Sequence, residues 1–545
     1  MSARTTIPPS PMLPSGDSYE AVAAQFEWPI PARYNIAQDV CDKWADGSGR
    51  LALIVEAADL SQQRYSFDDL KRLSNRFANA MRARGVERGD RVAIFVRQSV
   101  EAAIAHLAAY RMGCIAVPLF ALFGMDAIEF RLGHSGAKAV ITDAEGAAKI
   151  AQIRAALPDL HHVFCAESDF WPAIEAASDE PALVDTAADD PAVIIYTSGT
   201  TGKPKGALHG QRILLGHLPG VEMSQQCFPR DATLFWTPAD WAWIGGLFDV
   251  LMPSWHHGVP VLARRFDKFD GAAAYDLLVR HQVSHTFLPP TALKMMRATS
   301  GAKPDGLALR SVASGGESLG EELLSWGRAM LGVTINEFYG QTECNMVLSS
   351  CARWFEPQSG AIGRAVPGHR VAVVDDHGAP VPDGTPGHIA IERPDPVMFL
   401  GYWRDESATA EKFRGEFLLT GDLGTLEDGF FRFLGRDDDV ITSAGYRIGP
   451  GPIEDCLIRH PAVRFAAVIG VPDARRTEIV CAVVVLNEGF EPGDALVREL
   501  QDHVRTRLAA HEYPREVRFA NELPMTATGK IIRKSLRAEF TAGEG

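Results

Sequence analysis

Tyr196-Thr197-Ser198-Gly199-Thr200-Thr201-Gly202-Lys203-Pro204-Lys205-Gly206 is the stretch whose reading decides this chain. Just ahead of it, Ala192-Val193-Ile194-Ile195-Tyr196 is a short β-branched run that reads as a buried strand. The loop that follows holds three glycines, four hydroxyl side chains and two lysines. Glycines let backbone N–H groups turn inward around an anion, hydroxyls add donors, and lysines add charge. That composition describes a phosphate cradle; the plainer alternative is a hydrophilic surface loop. It is not a Walker A loop, since the first glycine and the final hydroxyl of that pattern fall here on Thr197 and Pro204.

The whole chain sets the frame. Its 545 residues correspond to about three to four domain-sized units, and 46% hydrophobic with 23% charged residues is ordinary for a soluble globular protein. A net charge of −15 argues against nucleic acid or an anionic membrane as a general partner. The eight cysteines are dispersed without a C-x-x-C pair, as expected of reduced thiols in a cytoplasmic protein, and no zinc-ligand spacing surrounds Cys344 and Cys351. Met1 to Gly16 lacks an apolar h-region, and the longest apolar run, Met112 to Met125, is too short for a bilayer and contains Pro118. Neither secretion nor membrane insertion is expected.

Outward from the loop, helices and strands alternate. Ser66 with Asp69 three residues on marks a helix start. Leu73–Arg84 and Val100–Met112 read as helices, and Arg91–Val96, Cys114–Val117, Ala139–Thr142 and Val163–Phe164 as strands. Such βαβα succession predicts a largely parallel sheet covered by helices. Beyond the loop, Ala232–Trp236, Val259–Leu262 and Val283–Leu288 read as strands, and Tyr275–Gln282 and Ser318–Leu331 as helices. From about Ile362 to Phe433, short strands broken by Gly, Pro and Asp predict a β-rich subdomain. Past Gly435-Arg436-Asp437-Asp438-Asp439 comes a compact α/β unit with helices at Pro452–Arg459 and Asp494–His511 and strands at Val463–Val471, Ile479–Leu486 and Val517–Phe519.

Four later motifs carry chemistry of their own. Asn336 to Glu343 joins an aromatic ring, a hydroxyl and a carboxylate, which suit a nucleobase and a nucleotide-bound Mg2+ as well as they suit a polar turn on Gly340. Asp422 in Thr420-Gly421-Asp422 is placed to accept from ribose hydroxyls or to form an Asx turn. Ala444 to Gly449 is a basic glycine loop or a helix lead-in, and Lys530 by itself reads as a solvated charge.

Taken in order, these motifs are far more specific. From about Tyr65 to Lys534 the chain resembles the acyl-adenylate-forming superfamily, and within it the acyl-CoA synthetases of the acetyl and medium-chain type. The signatures are Tyr196–Gly206, Gly315-Gly316-Glu317-Ser318, Tyr339–Glu343, Thr420-Gly421-Asp422, Gly435–Asp439, Gly445–Gly449 and Thr528-Gly529-Lys530. The resemblance implies an α/β fold: a large N-terminal domain, residues 1–436, of α/β subdomains plus a β-rich subdomain, and a small mobile α+β C-terminal domain, residues 437–545. It implies that a carboxylic acid and ATP give acyl-AMP and pyrophosphate, and that the acyl group then passes to coenzyme A.

By the same resemblance, Thr197, Ser198, Gly199, Thr200, Thr201, Gly202, Lys203, Pro204 and Lys205 hold the β- and γ-phosphates. Glu343 coordinates Mg2+ beside Thr342, and Lys530 bridges the carboxylate and the α-phosphate. Tyr339 stacks on adenine beside Gly316, Glu317 and Ser318, with Glu337 in the same nucleotide site. Asp422 binds the ribose, supported by Arg436. Asp438 is the hinge, and Ala444, Gly445 and Tyr446 reach the pantetheine tunnel. Arg447 is expected at nucleotide phosphate, and Arg476 and Arg505 at coenzyme A. The acyl pocket maps to Trp243, Ile244, Gly245, Gly315 and Gly340. Acetate-selective members carry tryptophan where this chain has Gly340, so an empty volume and an acid larger than propionate are expected, whether medium-chain, branched or aryl. Cys344-Asn345 departs from the small hydroxyl or glycine residues usual after this glutamate.

A stand-alone adenylation enzyme that loads a carrier-protein thiol is the rival reading. A non-catalytic binding relative is disfavoured because Lys530, Glu343 and the glycine loop are all present, and a hydrolase because no G-x-S-x-G elbow occurs. Acetylation removes the charge of a lysine, so an enzyme acetylated at Lys530 is expected to lose acid-dependent ATP–pyrophosphate exchange. Retained exchange would refute that role.

Overall fold

The computed structural model describes residues 10–197, 204–264, 266, 268–299, 301–317, 319–358, 360–437, 439, 441–443, 446–473, 476–508, 512–525 and 531–542. Ser198 to Lys203, Ser318, Asp438, Ala444, Gly445 and Lys530 lie outside the described residues, as do the side chains of Tyr446 and Arg447.

The β-branched run before the glycine loop forms strand Pro191–Thr197, buried from Ala192 to Tyr196. It belongs to a seven-stranded sheet in which strands Ile115–Pro118, Arg91–Phe95, Ala137–Thr142 and His162–Cys165 continue the parallel order outward. On its other side Lys205–Gly210 pairs antiparallel with it. A nine-stranded sheet carries strands Phe235–Trp236, His285–Phe287, Ser311–Gly315 and Ile335–Gln341 in parallel. Its edges are the antiparallel strands Gln62–Ser66 and Arg364–Ala365.

Helices Val100–Arg111 and Ile213–Ser224 belong to the main core. The first is buried at all but one residue and the second throughout. A helix apolar on all sides is stable only when other elements enclose it. Helix Phe67–Ala83 instead shows one buried face. Its N-terminus carries the expected capping box: Ser66 Oγ accepts from Asp69 N, and Asp69 accepts from Ser66 N.

Strands Val371–Val374, Gly387–Glu392, Phe417–Glu427 and Phe430–Arg436 form the expected β-rich region, an all-antiparallel sheet with Phe413–Arg414. The last part of the chain builds a separate five-stranded sheet around the long hairpin Val463–Asp473 with Thr477–Leu486. Helix Pro450–Ile458 packs on it. No helix among the described residues is long and apolar enough to cross a membrane.

Among the expected elements whose bounds differ, three have a local cause or an altered helix type. The strand expected over Ala232–Trp236 is confined to Phe235–Trp236, because the Thr233 and Leu234 amides donate to the Ser284 hydroxyl instead of a ladder. The helix expected over Ser318–Leu331 is an α-turn at Glu321–Trp326 followed by a π-turn at Gly327–Leu331. The helix from Asp494 ends at Arg505, where the following Thr506 hydroxyl donates to Asp502 O at 2.8 Å. Ser66→Ala deletes one half of the capping box and is expected to lower stability by about 1 kcal/mol, read as a fall in urea midpoint at unchanged slope. An unshifted midpoint would mean that the cap is idle.

Candidate active site

Strands Pro191–Thr197, Ser311–Gly315 and Ile335–Gln341 all run out at one cleft of about 2700 Å3. Thr197, Pro204 and Lys205 line it, as do Gly316, Glu317 and Glu337, together with Tyr339, Thr342, Glu343, Asp422 and Arg436. Residues drawn from widely separated segments thus share one surface. Ile531, Ile532 and Arg533, which follow Lys530 in sequence, line the same cleft.

The tightest polar junction is at Asp422. Gly421, at φ +76°, kinks strand Phe417–Glu427 in a conformation that favours glycine, and the Asp422 amide then donates to Thr420 Oγ1. The buried Asp422 carboxylate accepts from the Tyr339 hydroxyl, from Gln341 Nε2 at 2.8 Å and from Arg436 Nη1 at 3.1 Å. Burial first, and the neighbouring carboxylate second, push the Tyr339 phenol well above its ordinary pKa, so it remains a donor.

A second junction surrounds Glu343. The Tyr402 hydroxyl donates to its Oε1, and Lys205 Nζ lies 5.1 Å from the centre of the same tyrosine ring. The segment carrying Tyr402 is fixed by main-chain bonds from Phe399 N to Glu343 O, Leu400 N to Leu208 O and Trp403 N to Gly206 O. Among the described residues no three His, Cys, Asp or Glu side chains could hold a metal by themselves. A lone carboxylate at a cleft fits Mg2+, which takes one or two protein carboxylates and completes its shell with phosphate and water. Lys412 is largely buried nearby and donates to Leu419 O at 3.1 Å. Burial pushes its pKa down.

Gly316 at φ +97° turns the chain along the cleft wall. Below it, Leu319 N donates to Glu337 Oε2 at 3.3 Å. Burial pushes the Glu337 carboxyl up to about 8, which keeps it protonated at neutral pH.

Trp243, Ile244, Gly245, Gly315 and Gly340 all border the cleft. Trp243 packs against Phe120 with ring centres 5.4 Å apart, and Phe287 against Phe338 at 5.3 Å. The glycines do not leave voids. A Cβ on Gly340 would lie 2.3 Å from Met346 N and 2.5 Å from Asn345 Cα, and one on Gly315 would lie 2.6 Å from Phe338 Cε2. The returning chain at Asn345–Met346 and the Phe338 ring occupy the space expected to be empty. Gly340 therefore serves a close backbone approach.

Arg476 and Arg505 are absent from the cleft lining. The Arg476 amide donates to Asp473, and the exposed Arg505 guanidinium pairs with Asp502 on its own helix. Tyr402, Lys412 and the role of Gln341 escaped sequence reasoning. Gln341 sits inside a quoted motif, so its position was visible. Tyr402 and Lys412 come from short segments that no periodicity or motif marks.

The family described as AMP-binding enzyme matches residues 42–403, and the AMP-binding enzyme C-terminal domain matches residues 452–530. A mitochondrial acyl-coenzyme A synthetase of Homo sapiens is 34% identical over 539 residues, covering 94% of this chain and 92% of its own. An acetyl-coenzyme A synthetase of Bacillus subtilis is 34% identical over 549 residues, covering 96% and 95%. Among solved structures, an acyl-CoA synthetase of Brucella canis superposes with a TM-score of 0.74 at 36% identity, over 97% of this chain and 100% of that one.

Because backbone fills the space beside Gly340, Gly340→Trp is expected to lower kcat/KM for every acid and to depress the Tm, overpacking of this kind being worth about 1–3 kcal/mol. A clean switch to acetate with unchanged Tm would contradict the occupied space.

Proposed function

The chain belongs to the AMP-binding enzyme family, and on that premise we infer how its cleft works and which acid it takes. It is an AMP-forming acid–CoA ligase. A carboxylate oxygen attacks the α-phosphorus of ATP, the α–β phosphoanhydride breaks, and pyrophosphate leaves. The thiol of coenzyme A then attacks the acyl carbon of acyl-AMP, and AMP departs. In the first step negative charge crowds the reacting phosphorus, so catalysis is mainly positioning and charge stabilisation.

In our reading the stretch from Thr197 to Lys205 holds the departing pyrophosphate. Glu343, oriented by Tyr402, would hold Mg2+ together with the phosphates. When bound, that ion would supply positive charge that offsets the charge of the phosphates. Thr342 stands beside it. Tyr339, with Gly316, Glu317, Ser318 and Glu337, contacts the adenine end, and Asp422 with Arg436 receives the ribose hydroxyls. Lys530 stabilises both the incoming carboxylate and the α-phosphate.

The second step needs the phosphate side cleared. Residues 437–545 would turn about Asp438, withdrawing Lys530 and bringing Ala444, Gly445 and Tyr446 to the thiol tunnel, with Arg447 at phosphate. Such a motion would also decide whether Arg476 and Arg505 meet coenzyme A. The observation that carries the reading is the convergence of Thr197, Glu343, Tyr339 and Asp422 on one cleft.

For the acid, the aromatic lining by Phe120, Trp243, Phe287 and Phe338 favours a substrate larger than propionate. Similarity does not choose it, since the acyl- and acetyl-coenzyme A synthetases above are equally identical to this chain. Acid-dependent ATP–pyrophosphate exchange over straight, branched and aromatic acids is expected to favour acids beyond propionate. Thioester formation is expected with coenzyme A. Activity confined to acetate would overturn the size assignment, and transfer only to a pantetheinylated carrier protein would replace coenzyme A as the acceptor.

A further inference from the structure

Beside its aromatic wall the cleft carries a buried carboxyl group, Asp249, with no assigned task. Asp249 belongs to the π-turn Leu247–Leu251, which follows directly on the short helix Ile244–Gly246. Single π-turns inserted between α-helical segments re-aim side chains and recur at functional sites. Asp249 is 3% exposed, yet it lines the cleft beside Gly245, and its Oδ2 would lie 3.4 Å from a Cβ on that glycine.

Its surroundings do not use its capacity. Asn345 Nδ2 lies 2.8 Å from Asp249 Oδ1 and 3.1 Å from Oδ2, and also 3.3 Å from His217 Nε2. His217 Nδ1 sits 2.8 Å from Ile213 O. A carbonyl can only accept, so Nδ1 carries the imidazole proton and Nε2 is an acceptor. Burial keeps that ring neutral, with its pKa pushed down to about 3. His217 therefore offers Asp249 neither a charge nor a proton, although Nε2 is only 3.8 Å from Oδ1. One amide N–H faces a carboxyl with about four lone-pair positions. Burial raises the Asp249 pKa well above the carboxylate range, opposed only by the Asn345 bond. An apolar acyl chain alongside would leave this buried group under-satisfied, the arrangement that pockets use to reject apolar analogues.

We propose that Asp249, steadied by Asn345, recognises a hydrogen-bond donor, hydroxyl or amino, carried on the non-reacting part of the carboxylic acid. The enzyme then prefers a polar-substituted acid to its hydrocarbon counterpart. This rests on the acid-activating reading of the cleft. Asn345 lies in the Cys344-Asn345 pair that departs from the family pattern after Glu343, and it is the residue that orients Asp249.

The test uses matched pairs of straight-chain and aryl acids in which one hydrogen or methyl is replaced by hydroxyl or by amino. kcat/KM is measured by ATP–pyrophosphate exchange for the wild type, Asp249→Leu and Asp249→Asn. The wild type is expected to favour the donor-bearing member of a pair by about 10- to 100-fold, with the hydroxyl and amino arms identifying the donor. Asp249→Leu, whose loss still leaves Asn345 the His217 acceptor, is expected to abolish or reverse that ratio. The nearly isosteric Asp249→Asn decides if the leucine variant does not fold, and should reduce the ratio several-fold, since its amide leaves one acceptor oxygen where the carboxyl has two. A wild type without preference, or a preference unchanged in the folded variants, overturns the inference and leaves acid activation standing. Exchange with no acid of either kind would remove the acid-activating reading and this inference together.

Discussion

Asp422 is the constraint on which one wall of the cleft depends. Its carboxylate gathers donors from Tyr339 and Gln341, at the end of the nine-stranded sheet, and from Arg436, at the end of the antiparallel sheet. A buried carboxylate that lost these donors would be strongly destabilising, so this group ties the two sheets together at the cleft, alongside the apolar cluster that they share. The same charge faces the cleft. In the proposed reading, packing and ligand recognition would be served by the same atoms.

Glu343 repeats the device on a smaller scale. Tyr402 holds one of its oxygens, and main-chain bonds from Phe399 to Trp403 tie that tyrosine to the strand that follows the phosphate-loop stretch. Lys205 and the metal-compatible carboxylate are thus coupled through a tyrosine ring. The aromatic end of the cleft is built differently, by ring packing and by backbone that folds back against Gly340.

What sequence can reveal follows from these physical differences. Ala192–Tyr196 is legible because buried parallel strands read as unbroken β-branched runs, and Ser66 with Asp69 because a capping box is a local pattern. Asp422, Glu343 and Tyr339 are legible as motifs. Gly340 misleads, because a missing side chain in sequence says nothing of which backbone comes back to occupy the space. Ala232–Leu234 misleads for a related reason: a distant hydroxyl, Ser284, takes the amides that a strand would need. Tyr402, Lys412 and Asp249 matter only through tertiary contacts, and their neighbours in sequence give no sign of them.

The coupling of fold to nucleotide at Asp422 is tested most directly by the KM for ATP, and separately for the acid, in Asp422→Asn. That variant keeps the shape of the junction and removes its charge. The KM for ATP is expected to rise about 10- to 100-fold, the range for losing hydrogen bonds to a charged group, while the KM for the acid stays near its wild-type value. Equal changes in both constants, or no change in either, would contradict a nucleotide role for this carboxylate.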